Sequence, residues 1–474
     1  MARWLRSRIL FKVAGCSASS KLNFGLKQND PMRTLSLITL ILLLLVSSGQ
    51  SRGQTKVVIP NASSSQIRLS DSYVPSLPAR AKSYQAAHRW LLLASLLWRL
   101  AGFYVILQLA ALPKFLQKLE VWKEGWKKAR SKRREESEIG IKAKHGFIAA
   151  LIATAPGVFL CFAAYSLFTV LWNLPIGLAS LAIEWRYGFS HESFFSYLKD
   201  LSISFGIGLS YTLLLIPGYM IFAKFPKRWW LFVWAAIVPV SFISAVIYPV
   251  VISPLFNTYR RMESSPLKNK IQGLAMQAGI RGADIFIEDT SKRTSHVNAY
   301  VIGIGPSTRI VLNDTALSEL PEEQLLAMMG HEIGHYKERH IWIGLFAGAL
   351  GVGFFLWLLA ETLPKILRRR GVAWQIPSLN SPASIPLIFA GVYLITLLGQ
   401  PIGNAVSRHL EHRADIFGLK LTHLNEATAR LFVGFAERDF SDPDPPFLLH
   451  FWFGTHPTLK ERIDFARNFR ETTD

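Results

Sequence analysis

Several apolar runs, each long enough to cross a bilayer, commit most of this chain to a bundle of membrane helices. A bilayer core takes about 20 consecutive apolar residues as helix, because away from water every backbone N–H and C=O must be paired internally. The runs lie at Trp90–Leu112, Phe147–Leu171, Ile203–Ala223, Trp229–Ile252, Ile341–Ala360 and Pro386–Gly403. Within the fifth, Gly344 and Gly348 share a face and predict close helix contact there. Half of all residues are hydrophobic, yet the formal charge is +21. The positive excess gathers in Lys114–Lys144, Lys224–Arg228 and Lys365–Arg370, short connections between runs. By the positive-inside rule such loops are cytoplasmic, which turns the remaining soluble parts away from the cytoplasm. No aromatic–basic interleaving of an RNA-binding sheet accompanies these charges, so no nucleic-acid partner is expected. The two cysteines, Cys16 and Cys161, are far apart and offer neither a disulfide framework nor a cysteine metal site.

The rest of the chain divides around those runs. Met32-Arg33, the apolar Leu35–Val46 and the small residues Ser47–Gly49 read as a signal peptide, so residues 1–50 are expected to be a targeting segment. A rival reading makes Thr34–Ser48 an uncleaved anchor. Residues 51–87 read as a polar linker and 88–252 as the first membrane helices. Residues 253–340 form a soluble insertion, 341–404 two further spans, and 405–474 a second soluble part. In the insertion, Leu267–Gly279 reads as helix, and Ile285–Glu288 and Arg309–Leu312 as strands. The predicted class is mainly α: a polytopic membrane helical bundle bearing a soluble domain with a small β element.

That soluble domain contains His331-Glu332-Ile333-Gly334-His335, the HExxH pattern of a zinc protease domain. Pro321–Gly330 before it is rich in helix formers, with Ser318 as the expected N-cap. Residues four apart share a helical face, so both imidazoles can reach one metal ion and Glu332 can act as general base beside it. Zinc is the expected ion, one per chain, because it lowers the pKa of water to about 7 and polarises a carbonyl. Catalytic zinc takes three protein ligands, and Glu411 in Ser407–Asp415 is the candidate third. Asp415 falls on the same face one turn later and can brace a ligand imidazole. His412 competes as ligand but points about 100° away from Glu411. The bland alternative pairs Glu411 and Asp415 with Arg408 or Arg413. Downstream, His456 precedes Pro457 and should be extended, a fixed donor suited to an oxyanion. Arg462 either touches that charge or locks Asp415. His296, His340, His409, His423 and His450 are expected to be structural or interfacial.

The ordered set Thr294–Tyr300, HEIGH, Ser407–Asp415 and Thr455–Ile463, with Glu184–Ser190 and Ser253–Thr258, resembles the zinc-dependent CAAX prenyl endopeptidases and their bacterial HtpX-like relatives. The resemblance runs from about Trp90 to the C-terminus. It implies that His331, His335 and Glu411 bind zinc, that Glu332 is the base, and that His456 assists the transition state. It further implies that Asp415 and Arg462 support these groups, and that an edge strand bearing Asn298, Ala299 and Tyr300 holds the substrate. Ser190 departs from the asparagine usual in the family. The expected activity is an integral-membrane zinc endopeptidase, engaged in CAAX processing or membrane-protein quality control. Its expected partners are the bilayer and a peptide or protein, prenylated or membrane-embedded. The competing class is a membrane scaffold with a vestigial or structural zinc site.

Overall fold

The computed structural model describes residues 74–120, 147–280, 282, 284–303 and 308–471. The signal-like segment and the basic residues 121–144 lie outside the described residues. Among them, six helices are long and apolar enough to cross a membrane, one for each expected run: Ala79–Gln108, Ala155–Tyr187, Phe194–Gly218, Trp229–Leu255, His340–Arg370 and Pro382–Thr422. Each extends beyond its apolar run at one end or both, and the first stops at Gln108, short of Leu112. The chain is a multi-pass integral membrane protein.

We label the membrane helices α1 (Ala79–Gln108), α2 (Phe147–Tyr187), α3 (Phe194–Lys224) and α4 (Trp229–Ile247). Helices α1 and α2 are locked by two stacked indoles, Trp98 and Trp172, with centroids 4.7 Å apart. Each donates its ring N–H to the other's backbone carbonyl, at 2.6 and 2.9 Å. Gly102 makes the room, because a methyl built there would sit 2.6 Å from the Trp172 ring nitrogen.

After α4 the chain enters the soluble insertion. A four-stranded sheet forms from β1 (Tyr259–Arg261), β2 (Asp284–Glu288), β3 (Ala299–Ile302) and β4 (Arg309–Asn313), in the order β1-β2-β4-β3. Strands β2 and β4 are parallel, and β3 returns antiparallel to β4 with Tyr300 opposite Val311. One edge of the sheet is therefore β3. Helix α5 (Pro266–Gln277) lies between β1 and β2 in sequence and is capped by the Ser265 side chain. Side chains alternate along each strand, so Ile285, Ile287, Ala299, Ile310 and Leu312 form one apolar face. Met329 and Ile333 of the HExxH helix complete that core.

Two expectations need correction. The HExxH helix, here α7 (Glu322–Lys337), begins at Pro321 without a side-chain cap. Ser318 instead ends a short separate helix, α6 (Asp314–Glu319), where its hydroxyl donates to the Thr315 carbonyl at 3.0 Å. Proline explains the break, since Leu320 before Pro321 is extended, as the pyrrolidine ring demands. Glu322 and Glu323 then satisfy the helix dipole in place of a cap. In α8 (His340–Arg370), methyls built at Gly344 and Gly348 would meet nothing. The close approach lies at Gly353, where a methyl would sit 3.0 Å from the Trp234 ring nitrogen.

Helix α9 (Ile385–Thr422) runs unbroken from the sixth membrane span into the second soluble part, through Pro401. Three shorter helices finish the chain: α10 (Asn425–Glu437), α11 (Phe447–Phe453) and α12 (Leu459–Asn468). The last opens with a capping box between Thr458 and Glu461.

Candidate metal centre

The centre forms where α7 crosses α9, and small residues permit the crossing. A methyl at Gly418 would sit 2.8 Å from the His331 backbone nitrogen, and one at Gly334 would sit 3.1 Å from the Ala414 carbonyl oxygen. Gly330 faces Thr422 equally closely, at 2.5 Å. Glycine and alanine spaced four apart on both helices thus bring the two backbones together. The HExxH glycine is part of this device.

At the crossing, His331, His335 and Glu411 converge. The two Nε2 atoms are 3.1 Å apart, Glu411 Oε2 is 3.3 Å from His331 Nε2, and Glu411 Oε1 is 3.4 Å from His335 Nε2. A tetrahedral zinc ion with bonds of about 2.0–2.1 Å spaces its donors about 3.3 Å apart, so this triangle fits. Glu411 Oε2 is also buried without a hydrogen-bond partner among the described residues, which is costly unless a cation meets it. The residues present therefore suit a divalent ion.

Support comes from behind each imidazole. Asp415, 3% exposed, has Oδ1 2.8 Å from His331 Nδ1. Arg462 grips the same carboxylate and packs over the Phe432 ring at 4.1 Å. Burial disfavours a charged His331, yet the Asp415 and Glu411 carboxylates beside it outweigh that and lift the imidazole to about 9. His335 Nδ1 lies 2.9 Å from Nδ1 of the buried His340. His340 was expected to be structural or interfacial; its contact with a candidate ligand was not foreseen. Its spacing five residues after His335, at the α7–α8 corner where Arg339 adopts φ 58°, was the available signal.

Glu332 lies beside the pair, and burial raises its carboxyl above the ordinary range. His456 Nε2 is 3.5 Å from Glu411 Oε2, while its Nδ1 is 2.8 Å from the Thr455 hydroxyl. Local desolvation lowers the His456 imidazole below its ordinary value, although the side chain stays 56% exposed. The bland pairing of the α9 carboxylates does not occur: Arg408 donates to the Gly454 carbonyl at 2.7 Å, and Arg413 pairs with Glu338. His412 leaves the centre and lies tilted against Phe465.

Ala299 and Tyr300 open the edge strand β3, and Asn298 stands just before it with its carbonyl accepting from Asn313 N at 3.0 Å. Asn298 is exposed, whereas Ala299 is buried in the core. The approach to this strand is fixed by Glu184–Ser190. Phe189 stacks on His296 at 4.6 Å, and Ser190 forms an isolated bridge with Thr294. His296 is held by Asp439 at 3.1 Å and by Glu184 at 3.7 Å.

Comparison with known proteins identifies this architecture. Residues 262–470 match the family model of peptidase family M48, and residues 64–258 match that of the CAAX prenyl protease N-terminal region with five membrane helices. The chain is similar to an uncharacterized metalloprotease, YhfN, of Bacillus subtilis (strain 168), with 35% identity over 305 residues, covering 64% of this chain and 71% of that one. It is 27% identical over 326 residues to CAAX prenyl protease 1 of Saccharomyces cerevisiae, with coverage of 64% and 71%. The crystal structure of S. mikatae Ste24p shares the fold, with a TM-score of 0.66 at 21% identity over 93% of this chain and 97% of that one. The chain therefore belongs to peptidase family M48, as an integral-membrane metalloendopeptidase.

Proposed function

We propose that this chain hydrolyses peptide bonds with one zinc ion held by His331, His335 and Glu411. The observation that carries the reading is the convergence of a carboxylate from a membrane helix on the HExxH pair, with Glu332 beside them. Zinc bound there supplies Lewis acidity, lowering the pKa of water to about 7 and polarising the scissile carbonyl. Glu332 accepts the proton of the attacking water and passes it to the leaving amine. Its raised carboxyl suits that exchange, being a better acceptor than an ordinary glutamate. His456, with Nδ1 engaged by Thr455, carries its proton on Nε2 and donates it in a hydrogen bond to the carbonyl oxygen as charge develops. The free edge of β3 receives the substrate as an added strand through backbone hydrogen bonds, with Asn298, Ala299 and Tyr300 setting its register. Asp415 and Arg462 keep His331 in its binding tautomer. A structural zinc site in a membrane scaffold has no use for Glu332, which argues for catalysis.

The substrates are extended peptide segments that reach the site from the bilayer, and no nucleic-acid partner enters this reading. The yeast relative bears the name CAAX prenyl protease, which makes a prenylated peptide the first substrate to test. Purified protein is given a prenylated peptide and its unprenylated twin, with and without a chelator. Faster cleavage of the prenylated twin marks CAAX processing, and equal cleavage marks general membrane quality control. Chelator-resistant cleavage, or no cleavage at all, ends the zinc endopeptidase reading. The basic connections at Lys224–Arg228 and Lys365–Arg370 support a catalytic part facing away from the cytoplasm. Phosphatase activity of a reporter fused after Asp474 checks this, and cytoplasmic fluorescence alone refutes it.

A further inference from the structure

The sheet face opposite the α7 core carries Glu288 and Asn313 and borders an open cavity of about 340 Å³, which Tyr248, Phe256 and Ile302 also line. Asn298, Tyr300 and Ile302 of the β3 segment line it on one side, and Asn257, Glu288 and Asn313 on the other. Glu288 and Asn313 are 5% and 4% exposed. The Glu288 carboxylate already accepts from Tyr300 and Tyr259, each at 3.0 Å, and from the Asn257 amide. Those donors are neutral, and no lysine, arginine or histidine lines the cavity. Three further polar atoms are buried without a hydrogen-bond partner among the described residues: Asn257 Oδ1, Asn313 Oδ1 and Thr290 Oγ1. All three residues line this same cavity. Buried acceptors left unmatched are costly, so such a cup is complementary to a guest that brings donors and positive charge.

The position of the cup says which guest. A peptide paired along the edge of β3 projects alternate side chains to the two sheet faces. One set is directed over the face carrying Asn298, Tyr300 and Ile302, which is the rim of the cavity. The volume far exceeds that of a bare ion and admits a long side chain.

We propose that this cavity is a specificity subsite that takes a lysine or arginine side chain of the bound substrate. The Glu288 carboxylate supplies the counter-charge, and Asn257, Asn313 and Thr290 supply acceptors for the ammonium or guanidinium hydrogens. The proposal rests on strand addition at β3, and its test separates the two ideas. A single lysine is walked along a labelled peptide, and each version is compared with norleucine at the same position. Binding to the Glu332→Gln protein and cleavage by the unaltered protein are both measured. One register should favour lysine by about tenfold or more in both readouts, the size expected of charge-assisted hydrogen bonds. Glu288→Gln should abolish the preference, and the near-isosteric Asn313→Asp, which adds charge to the cup without removing any bond of Glu288, should strengthen it. Peptides cleaved with no lysine preference at any position overturn the subsite and leave the endopeptidase reading intact. Lysine-selective binding without cleavage keeps the subsite and overturns the hydrolytic reading.

Discussion

Arg462 holds Asp415 through one edge of its guanidinium, Nη2 to Oδ1 at 2.6 Å and Nε to Oδ2 at 2.9 Å. The same Oδ1 faces His331 Nδ1 at 2.8 Å, so one buried carboxylate ties the arginine of α12 to the first imidazole of α7. A carboxylate accepting from Nδ1–H leaves Nε2 free as the donor atom toward a metal ion. Asp415→Asn should therefore weaken metal binding by about 10- to 100-fold while the fold persists. Competition with a chromophoric chelator reads the affinity directly, and an unchanged constant refutes the bracing role.

Glu332 has a different proposed role, since it stands outside the His331, His335 and Glu411 group. Glu332→Gln keeps the shape and removes the base. We expect stoichiometric metal to be retained while peptide turnover falls by about 10²- to 10⁴-fold. Metal analysis and initial rates on one preparation settle the matter, and turnover equal to that of the unaltered protein refutes the base.

The helix crossing predicts a mutation with no polar chemistry at all. Gly418→Ala inserts a methyl 2.8 Å from the His331 backbone nitrogen, with backbone rather than a flexible side chain in the way. Overpacking of this kind costs about 1–3 kcal/mol and must push α9 away from α7. Metal affinity and activity should both drop. Gly273→Ala in α5, where a methyl would meet nothing, serves as the silent control. Equal behaviour of the two variants contradicts the role given to the crossing.

His296 makes stability depend on pH. Its hydrogen bond to Asp439 and the nearby Glu184 carboxylate lift the imidazole from 6.5 to about 9. A folded-state value above the unfolded one stabilises fully below about pH 6.5 and is lost as pH rises through about 9. In detergent, the melting temperature of the unaltered protein should exceed that of His296→Gln at pH 6, and the gap should close by about pH 10. A gap that widens with pH contradicts the linkage.

Much of this was legible in the residues because long-wavelength patterns survive without tertiary context. Each apolar run became a helix long enough to cross a membrane, and the HExxH spacing put His331 and His335 side by side. Short elements were harder. The three residues of β1 carry no periodicity, and they become a strand only because β2 presents a partner. The reading of Ser318 as a cap failed because Pro321 breaks the chain nearer to the helix. Gly344 and Gly348 show why spacing alone misleads, since a small residue reveals a contact only when something approaches it. At Gly418 something does, and the Ala414–Gly418 spacing was the unread clue. The spacing of His340 after His335 was a signal, but only the corner at Arg339 turns that spacing into a contact.

Helix α9 spans 38 residues and carries both a lipid-crossing stretch and Glu411. On the proposed ligand set, hydrolytic competence cannot be excised from the bilayer. A fragment limited to residues 253–340 keeps His331 and His335 but lacks Glu411, and a fragment beginning after the span severs the rod that aims that carboxylate. Any reconstitution, inhibitor screen or directed-evolution scheme for this protein has to begin from the lipid-embedded whole.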